Sequence, residues 1–178
     1  MPDSSLASAL QKSEARYRFL AETIPVQVWT SRPNGMLDYV SSRAVTELGI
    51  SMERLLAEGW QNVVHPEDLG GAIERWTRAL ATGEVYEVEF RLRMADGTYA
   101  WYLARAVAQR GADGAIVEWL GTNTNIADQR ETQRRIEALL TEVGEQARET
   151  EAALTTLRAE KAAADAKIRD LEAKLAGR

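Results

Sequence analysis

The sequence predicts an α+β domain that is followed by a long coiled-coil helix. In the first 125 residues, segments typical of strands and helices follow one another in the order ββ, helices, βββ, and a heptad pattern of apolar residues runs through the remainder. The distribution of aromatic residues and proline shows the same division, because all five Trp, both Phe, all five Tyr and all four Pro lie at or before Trp119. The boundary is therefore predicted near Asn125.

The composition argues against several classes of protein. With 178 residues, of which 45% are hydrophobic, the chain can form one ordinary domain plus an extension. A net charge of -5 argues against a nucleic-acid partner, because such proteins usually carry a basic surface. The absence of cysteine excludes disulfides, thiolate zinc sites and cysteinyl-flavin adducts. No stretch approaches the roughly 20 apolar residues of a membrane span, so a cytoplasmic protein without a membrane partner is expected.

The N-terminal third is predicted to contain one helix and one hairpin. Residues 1–13 are expected to form a flexible lead, and residues 14–24 a helix that ends at Pro25. The β-branched and aromatic segment 26–31 and the segment 37–41 flank Pro33, Asn34 and Gly35, which are turn residues.

Three further helices and three strands complete the predicted domain. Ser42 and Ser51 are each expected to cap a short helix. A longer helix begins after His65 and ends at Gly83, and its first residues fit a helix start because proline suits the first position and carboxylates complement the helix dipole. We therefore assign a structural capping role to His65, Pro66, Glu67 and Asp68. Strands are predicted over residues 85–94, 99–109 and 115–125, joined by Asp-Gly turns.

Residue alternation predicts which side of the sheet is buried. Apolar side chains of the first long strand share one face, and those of the middle strand include a row of alanines on the same face. The inward set is Tyr86, Val88, Phe90 and Leu92, followed by Tyr102, Ala104, Ala106 and Ala108. The alanines either let a helix approach closely or leave room for a small guest molecule. Trp101, Leu103 and Val107 face outward, and we expect the helix over residues 14–24, from the same or another subunit, to cover them.

Residues 127–178 are predicted to form a coiled-coil signalling helix. Apolar residues recur there at alternating steps of four and three. The seam residues that define the predicted interface are Ile136, Leu140, Val143, Leu154, Leu157, Lys161, Ile168, Leu171 and Leu175. Lys161 at an a position favours a low oligomer number, and a parallel dimer is preferred. A lone amphipathic helix is the alternative, but about 50 residues would extend roughly 75 Å, well beyond a domain of this size.

Catalytic chemistry has few candidate residues. The single histidine, His65, lies beside Glu67 and Asp68, which in principle suits a metal ion or an acid–base pair, but the capping role explains the same residues. Glycine-rich phosphate loops, nucleophile elbows and paired-histidine metal motifs do not occur. A non-enzymatic protein without a metal site is therefore expected.

Several motifs together resemble a known family. They are VWTSRPNGMLDYVS, Gly59-Trp60, VVHPEDL, ADGTYAWYLARA and DGAIVEWLGTNTNI, in that order. This set is similar to the Per-Arnt-Sim (PAS) domain of the subclass that carries HPED before its long helix, over residues 14–126. The resemblance implies a PAS fold with a five-stranded antiparallel sheet and helices on one face. It also implies that flanking N-terminal and C-terminal helices pair across a homodimer.

The resemblance also implies where a ligand would lie and how a signal would leave the domain. The implied pocket residues are Phe90, Leu92, Tyr102, Ala104, Ala106, Trp119 and Asn123, and the implied signal-coupling residues are Asn125, Ile126, Ala127 and Asp128. Tyr102 and Asn123 would be the polar groups of the pocket, or else would hydrogen-bond each other or the backbone in a core without ligand. Where relatives end the last strand with Asp-Ile-Thr, this chain has Asn125, Ile126 and Ala127.

The sequence thus leads to three hypotheses of function. The first is a signal-transduction module of the kind found in bacterial two-component systems, in which a PAS sensor couples a small-molecule or interaction signal to a parallel coiled coil and a downstream signalling protein. The second is a ligand-free adaptor for protein–protein interaction. The third is a redox or gas sensor that holds flavin or haem, which we disfavour. The flavin photosensors' cysteine motif is absent, and His65 lies in a loop rather than on a haem-ligating helix.

Overall fold

The computed structural model describes residues 3–176, with side chains described for 8, 9 and 11–174. The elements are α1 (Asp3–Thr23), β1 (Gln27–Ser31), β2 (Leu37–Val40), α2 (Ser42–Leu48), α3 (Met52–Glu58), a 3₁₀ turn (Trp60–Val63), α4 (Pro66–Thr82), β3 (Tyr86–Arg93), β4 (Tyr99–Arg110), β5 (Ile116–Asn125) and α5 (Ala127–Ala176). The chain forms two compact units, residues 1–128 and residues 129–178. None of the helices in the described part of the chain combines the length and the apolar character needed to cross a membrane.

The five strands form one antiparallel sheet in the order β2-β1-β5-β4-β3. The predicted order of strands and helices is confirmed, as is the five-stranded sheet. In β3, Tyr86, Phe90 and Leu92 are buried whereas Glu87 and Glu89 are not, as the alternation predicts.

Helices α2, α3 and α4 contribute to one core with the inner face of the sheet. Trp76 of α4 is central to this core, because its ring makes edge contacts with those of Trp29, Tyr86 and Trp119 at centroid distances of 5.7, 5.0 and 5.1 Å. Edge-to-face aromatic pairs of this kind add to the stabilisation that burial provides. The core therefore fixes α4 over β1, β3 and β5.

The short helix α2 begins one residue away from the predicted capping position. Its N-cap is Ser41 rather than Ser42, and the Ser41 hydroxyl accepts a hydrogen bond from the N–H of Val28 instead of capping the helix. The Glu22 carboxylate of α1 takes over that role, because it accepts hydrogen bonds from the N–H and hydroxyl of Ser42 and from the hydroxyl of Tyr39. Ser51 caps α3 as predicted, accepting from the N–H of Arg54 at 3.3 Å.

The first helix is longer than the sequence pattern predicts. It begins at Asp3, so most of the expected flexible lead over residues 1–13 is helical. It also leaves the outer face of the sheet incompletely covered within this chain, since Val107 and Leu120, directly opposite each other on β4 and β5, remain 45% and 47% exposed. Of the three residues predicted to be covered, Trp101 and Leu103 are partly buried, whereas for Val107 coverage by the same chain is wrong. Coverage by a second copy stays a prediction.

Candidate functional site

A small cavity lies between the inner face of the sheet and the helices. Its volume is about 50 Å³. Its lining residues are Gln27, Trp29, Gly35, Leu37, Val40, Ala44, Leu48, Leu55, Trp60, Val63, Trp76, Tyr86, Phe90, Leu92, Ala104 and Asn123. Charged side chains are absent from this lining, and its polar side-chain amides are those of Gln27 and Asn123. Four of the seven predicted pocket residues, Phe90, Leu92, Ala104 and Asn123, meet at this cavity.

The other three predicted pocket residues lie in the surrounding core instead of the cavity wall. Trp119 is fully buried and packs against Trp76, and its indole N–H has no hydrogen-bond partner among the described residues. Ala106 is 1% exposed within the same core, two residues along the strand from the cavity-lining Ala104. Tyr102 is also buried, and its hydroxyl is bound by a carboxylate. Of the three alanines in the row, Ala104 therefore borders the cavity, whereas Ala106 and Ala108 pack in or against the core.

Polar side chains cross the sheet beside the cavity because three strands are in register there. Gln27 of β1 and Ala104 of β4 both lie opposite Asn123 of β5. The Asn123 amide donates to the Gln27 carbonyl oxygen at 3.0 Å, and its own oxygen accepts from the indole N–H of Trp29 at 3.1 Å. Among the described residues the Asn123 side chain thus bonds Trp29 and Gln27, and not Tyr102 or the backbone as proposed for a ligand-free core.

The row ends at Glu47 of α2, which the sequence analysis missed. Its carboxylate accepts from the amide of Gln27 at 2.9 Å, the hydroxyl of Tyr102 at 2.9 Å and the guanidinium of Arg43 at 3.1 Å. Partial burial raises the pKa of the Glu47 carboxyl, but the three hydrogen bonds outweigh burial and hold that pKa below its usual value. Glu47 is therefore a charged acceptor at neutral pH. We call Trp29, Asn123, Gln27, Glu47 and Tyr102 the polar network.

A sequence signal for Glu47 exists but is weak. Glu47 follows Ala44 by three residues and precedes Leu48, and both of these are buried, so Glu47 borders the buried stripe of α2. A carboxylate at that border indicates a partner across the interface, although the sequence does not indicate which residue it is.

The polar network continues to the start of α5. Asn125 lies directly opposite Tyr102 in the β4–β5 pair. Burial and Glu47 raise the pKa of Tyr102, and the neighbouring amides of Asn125 and Gln27 partly offset that rise. The side-chain oxygen of Asn125 accepts a hydrogen bond from the N–H of Ala127 at 2.9 Å. Ile126 between them is buried, and its N–H donates to the carbonyl of Trp101 at 2.9 Å. Three of the four predicted coupling residues thus form the junction, and Asp128 lies in the first turn of α5.

The HPED segment caps α4. His65 is the N-cap, and its Nδ1 accepts from the N–H of Glu67 at 3.3 Å, with Pro66 at the first helical position. Glu67 and Asp68 bind the Arg91 guanidinium at 2.8 Å, and that guanidinium lies 5.3 Å from the ring centroid of Trp101. Among the described residues no group of three or more His, Asp or Glu side chains could hold a metal ion. This cluster therefore fastens α4 to β3 and contributes nothing to the cavity.

The predicted seam of α5 is exposed in the single chain. Ile136, Val143 and Leu157 are 46%, 61% and 62% exposed. The same is true of Leu140, Leu154, Lys161, Ile168 and Leu171. The side chain of Leu175 lies outside the described residues. A stripe of this length leaves apolar surface in water unless another helix covers it.

Comparison with known proteins identifies the domain. Residues 37–123 match the family described as PAS fold. These residues form a PAS domain. The match begins at β2, whereas the resemblance noted above extends from residue 14 to residue 126.

Curated relatives share this PAS region but are much longer. The uncharacterized protein y4lL of Sinorhizobium fredii is 41% identical over 123 residues, which are 69% of this chain and 15% of the relative. The peroxide stress-activated histidine kinase mak1 of Schizosaccharomyces pombe is 28% identical over 121 residues, 67% of this chain and 7% of that kinase. The chain therefore spans only a small part of either relative.

A solved structure supports the same fold. The sensory box histidine kinase/response regulator from Burkholderia thailandensis superimposes with a TM-score of 0.54 at 18% identity, covering 72% of this chain and 97% of that chain. The PAS fold predicted from the motifs is thus confirmed. The PAS domain is thus similar in sequence to part of a histidine kinase, mak1.

Proposed function

We propose that this chain is a non-enzymatic sensor segment of a signalling protein, in which the state of the PAS cavity is passed to α5. The observation that carries the proposal is the row of polar side chains that leads from the cavity to the first turn of that helix. Hydrogen bonds join Asn123 in the cavity wall through Gln27 and Glu47 to Tyr102, and Tyr102 lies directly opposite Asn125, which caps the helix.

The end of the route is suited to control the helix start. The first N–H groups of an α-helix have no partner within the helix, so a side-chain acceptor decides whether they are satisfied. Asn125 supplies that acceptor for Ala127. A shift of Tyr102 would move the Asn125 amide and change the cap. Such a shift transmits a signal only if ligand binds the two cap states with unequal affinity.

We further propose that α5 delivers the signal by pairing with α5 of a second copy. The exposed seam requires a partner helix, and the heptad spacing favours a parallel two-stranded coiled coil. The exposed pair Val107 and Leu120 supports a second contact on the outer face of the sheet. The kinship with histidine kinases supports an effector in a longer protein as the receiver.

A ligand-free adaptor is the second candidate, and the cavity volume favours it. Pockets for drug-sized ligands measure roughly 300–1,000 Å³, against about 50 Å³ here. For the same reason the residues of the cavity do not fit flavin or haem. An engineered cavity of about 150 Å³ accommodates benzene, and an isoalloxazine or porphyrin ring system is larger than benzene.

Amide exchange at Ala127 tests the sensor proposal. In the full chain, Tyr102→Phe removes the hydroxyl that binds Glu47 on the residue opposite Asn125, so exchange of the Ala127 N–H measured by NMR should accelerate several-fold. Tyr99→Phe is the control, because Tyr99 lies on the same strand β4 but outside both the polar network and the cavity lining. Equal exchange at Ala127 in both variants would contradict the proposed route.

A further inference from the structure

The polar network has a defined hydrogen-bond direction. An indole N–H is a donor only, and an ionised carboxylate is an acceptor only. Trp29 and Glu47 therefore fix the orientation of the two amides between them: Asn123 turns its oxygen to Trp29 and its NH₂ to Gln27, and Gln27 turns its NH₂ to Glu47. Reversing either amide would set two acceptors or two donors against each other.

The direction of the network determines what the cavity wall offers to a guest. Trp29 and Asn123 both line the cavity, and the bond between them joins the indole donor to an amide acceptor. A guest that enters this bond must accept from Trp29 and donate to the Asn123 oxygen. A carboxylate accepts from Trp29 but then opposes the Asn123 oxygen with a second acceptor, which leaves a buried polar atom unsatisfied.

The charge and volume of the cavity further restrict which molecules it can bind. The cavity lining holds no charged side chain among its residues, so a buried anion or cation would lack a counter-charge. One water needs about 10–15 Å³ of such volume, and the cavity has about 50 Å³. The space therefore suits a molecule of roughly four non-hydrogen atoms.

We propose that the PAS cavity binds a small neutral molecule with adjacent hydrogen-bond donor and acceptor groups, a primary amide or an alcohol, seated between the indole of Trp29 and the side-chain oxygen of Asn123. The inference rests on the proposed sensor function, since it names the class of ligand for the same cavity. Glu47 is a positioning residue in this arrangement, because it holds the Asn123 oxygen toward Trp29 through Gln27 without lining the cavity itself.

Matched probes test the proposal on the full chain. Acetamide and acetate have the same shape and the same number of non-hydrogen atoms but differ in charge and donor capacity, and xenon reports whether any guest enters an apolar cavity. Binding is followed by the NMR shifts of the Trp29 indole N–H and the Asn123 NH₂ group. Acetamide should bind about tenfold or more tightly than acetate. In Trp29→Phe this preference should disappear while xenon still binds.

The outcomes separate the ligand class from the sensor function. If acetate binds as tightly as acetamide, or if xenon binds and acetamide does not, the proposed ligand class is overturned. The sensor function would then require a ligand of another class. If none of the three probes shifts either signal, the proposed ligand class is overturned, and the ligand-free adaptor is favoured over the sensor. Glu47→Leu removes the acceptor that orients the Gln27 amide. Loss of the acetamide preference in this variant, with xenon binding retained, would support the positioning role of Glu47, and retention would contradict it.

Discussion

The side-chain oxygen of Asn125 accepts the backbone N–H of Ala127 at 2.9 Å, so the last residue of β5 caps the helix that leaves the domain. Motifs of related PAS domains place an aspartate at this position, and the amide makes the corresponding bond without charge. The same residue lies opposite Tyr102, which connects the cap to the polar network. The Asn125 side chain therefore links the sheet to the start of α5.

Replacing this cap should destabilise the domain in a way that depends on the acceptor. Asn125→Ala should lower the free energy of unfolding by about 1 kcal/mol, because a helix N-terminal N–H loses its acceptor. Asn125→Asp keeps an acceptor and should stay within about 0.5 kcal/mol of the parent. Urea unfolding of the full chain measures both. Equal losses in the two variants would show that the bond to Ala127 contributes nothing.

The fixed direction of the polar network predicts a strong effect of Asn123→Asp. The new carboxylate accepts from Trp29 but faces the Gln27 oxygen, and rotating the Gln27 amide would set its oxygen against Glu47. The expected cost is about 1–3 kcal/mol in free energy of unfolding. Asn34→Asp is the control, since Asn34 is exposed and its oxygen still accepts the N–H of Met36. A similar, small effect at both sites would refute the directional argument.

The cluster that fastens α4 to β3 predicts a pH dependence. Hydrogen bonds from the Arg91 side chain are the main cause that holds the pKa of Asp68 below its usual value. Because the pKa of Asp68 is lower in the folded protein than in the unfolded chain, the ion pair stabilises the fold fully above the unfolded-state pKa of about 3.9. This stabilisation is lost as the pH falls through the folded-state pKa.

Asp68→Asn should therefore cost about 1–3 kcal/mol at pH 7 and less at pH 3. Thermal unfolding at the two pH values measures the difference. Asp113→Asn, in an exposed turn whose side chain accepts from the Ala115 N–H, serves as the control. A loss at pH 3 equal to that at pH 7 would argue against the ion pair as the cause.

We predict that the coiled coil of α5 is the main site of self-association. Ile168→Asp combined with Leu171→Asp places two charges in the seam, where burial without a partner is costly, so light scattering should show weaker dimerisation. Ala166→Asp combined with Ala173→Asp adds the same charges on the opposite side of the helix and should leave the dimer intact. Unchanged dimers in the seam variant would place the interface in the PAS domain.

Local sequence pattern predicted the strands and most helix ends well. The Asp-Gly turns, the start of α4 at Pro66 and its end before Gly83 are short-range features of backbone chemistry, and the structure reproduces them. The start of α1 was missed because residues 3–13 have few apolar residues at regular helical spacing, and pattern reading depends on that spacing.

The contacts of the polar network could not be predicted from local sequence pattern. Glu47 meets Tyr102 across 55 positions of sequence, and Gln27 meets Asn123 across 96. Burial of Gln27 and the direction of its amide depend on strand register and on the position of α2, which are properties of the assembled core. Asn123 was identified through the family resemblance, whereas Gln27 and Glu47 had no motif to mark them.

The central claim, that the state of the cavity changes the pairing of α5, is tested most directly by distances between two copies. The chain has no cysteine, so Glu145→Cys provides one spin label per chain on the side of the helix opposite the seam. Pulsed electron resonance then compares the parent with Ala104→Leu, which fills the cavity at a packing cost of about 1–3 kcal/mol. Ala108→Leu, a substitution at a half-buried position in the same alanine row but outside the cavity lining, is the control.

We predict that Ala104→Leu shifts the distance distribution and that Ala108→Leu leaves it unchanged. Identical distributions in all three proteins, with Ala104→Leu more stable than the parent, would contradict the sensor account and favour the adaptor.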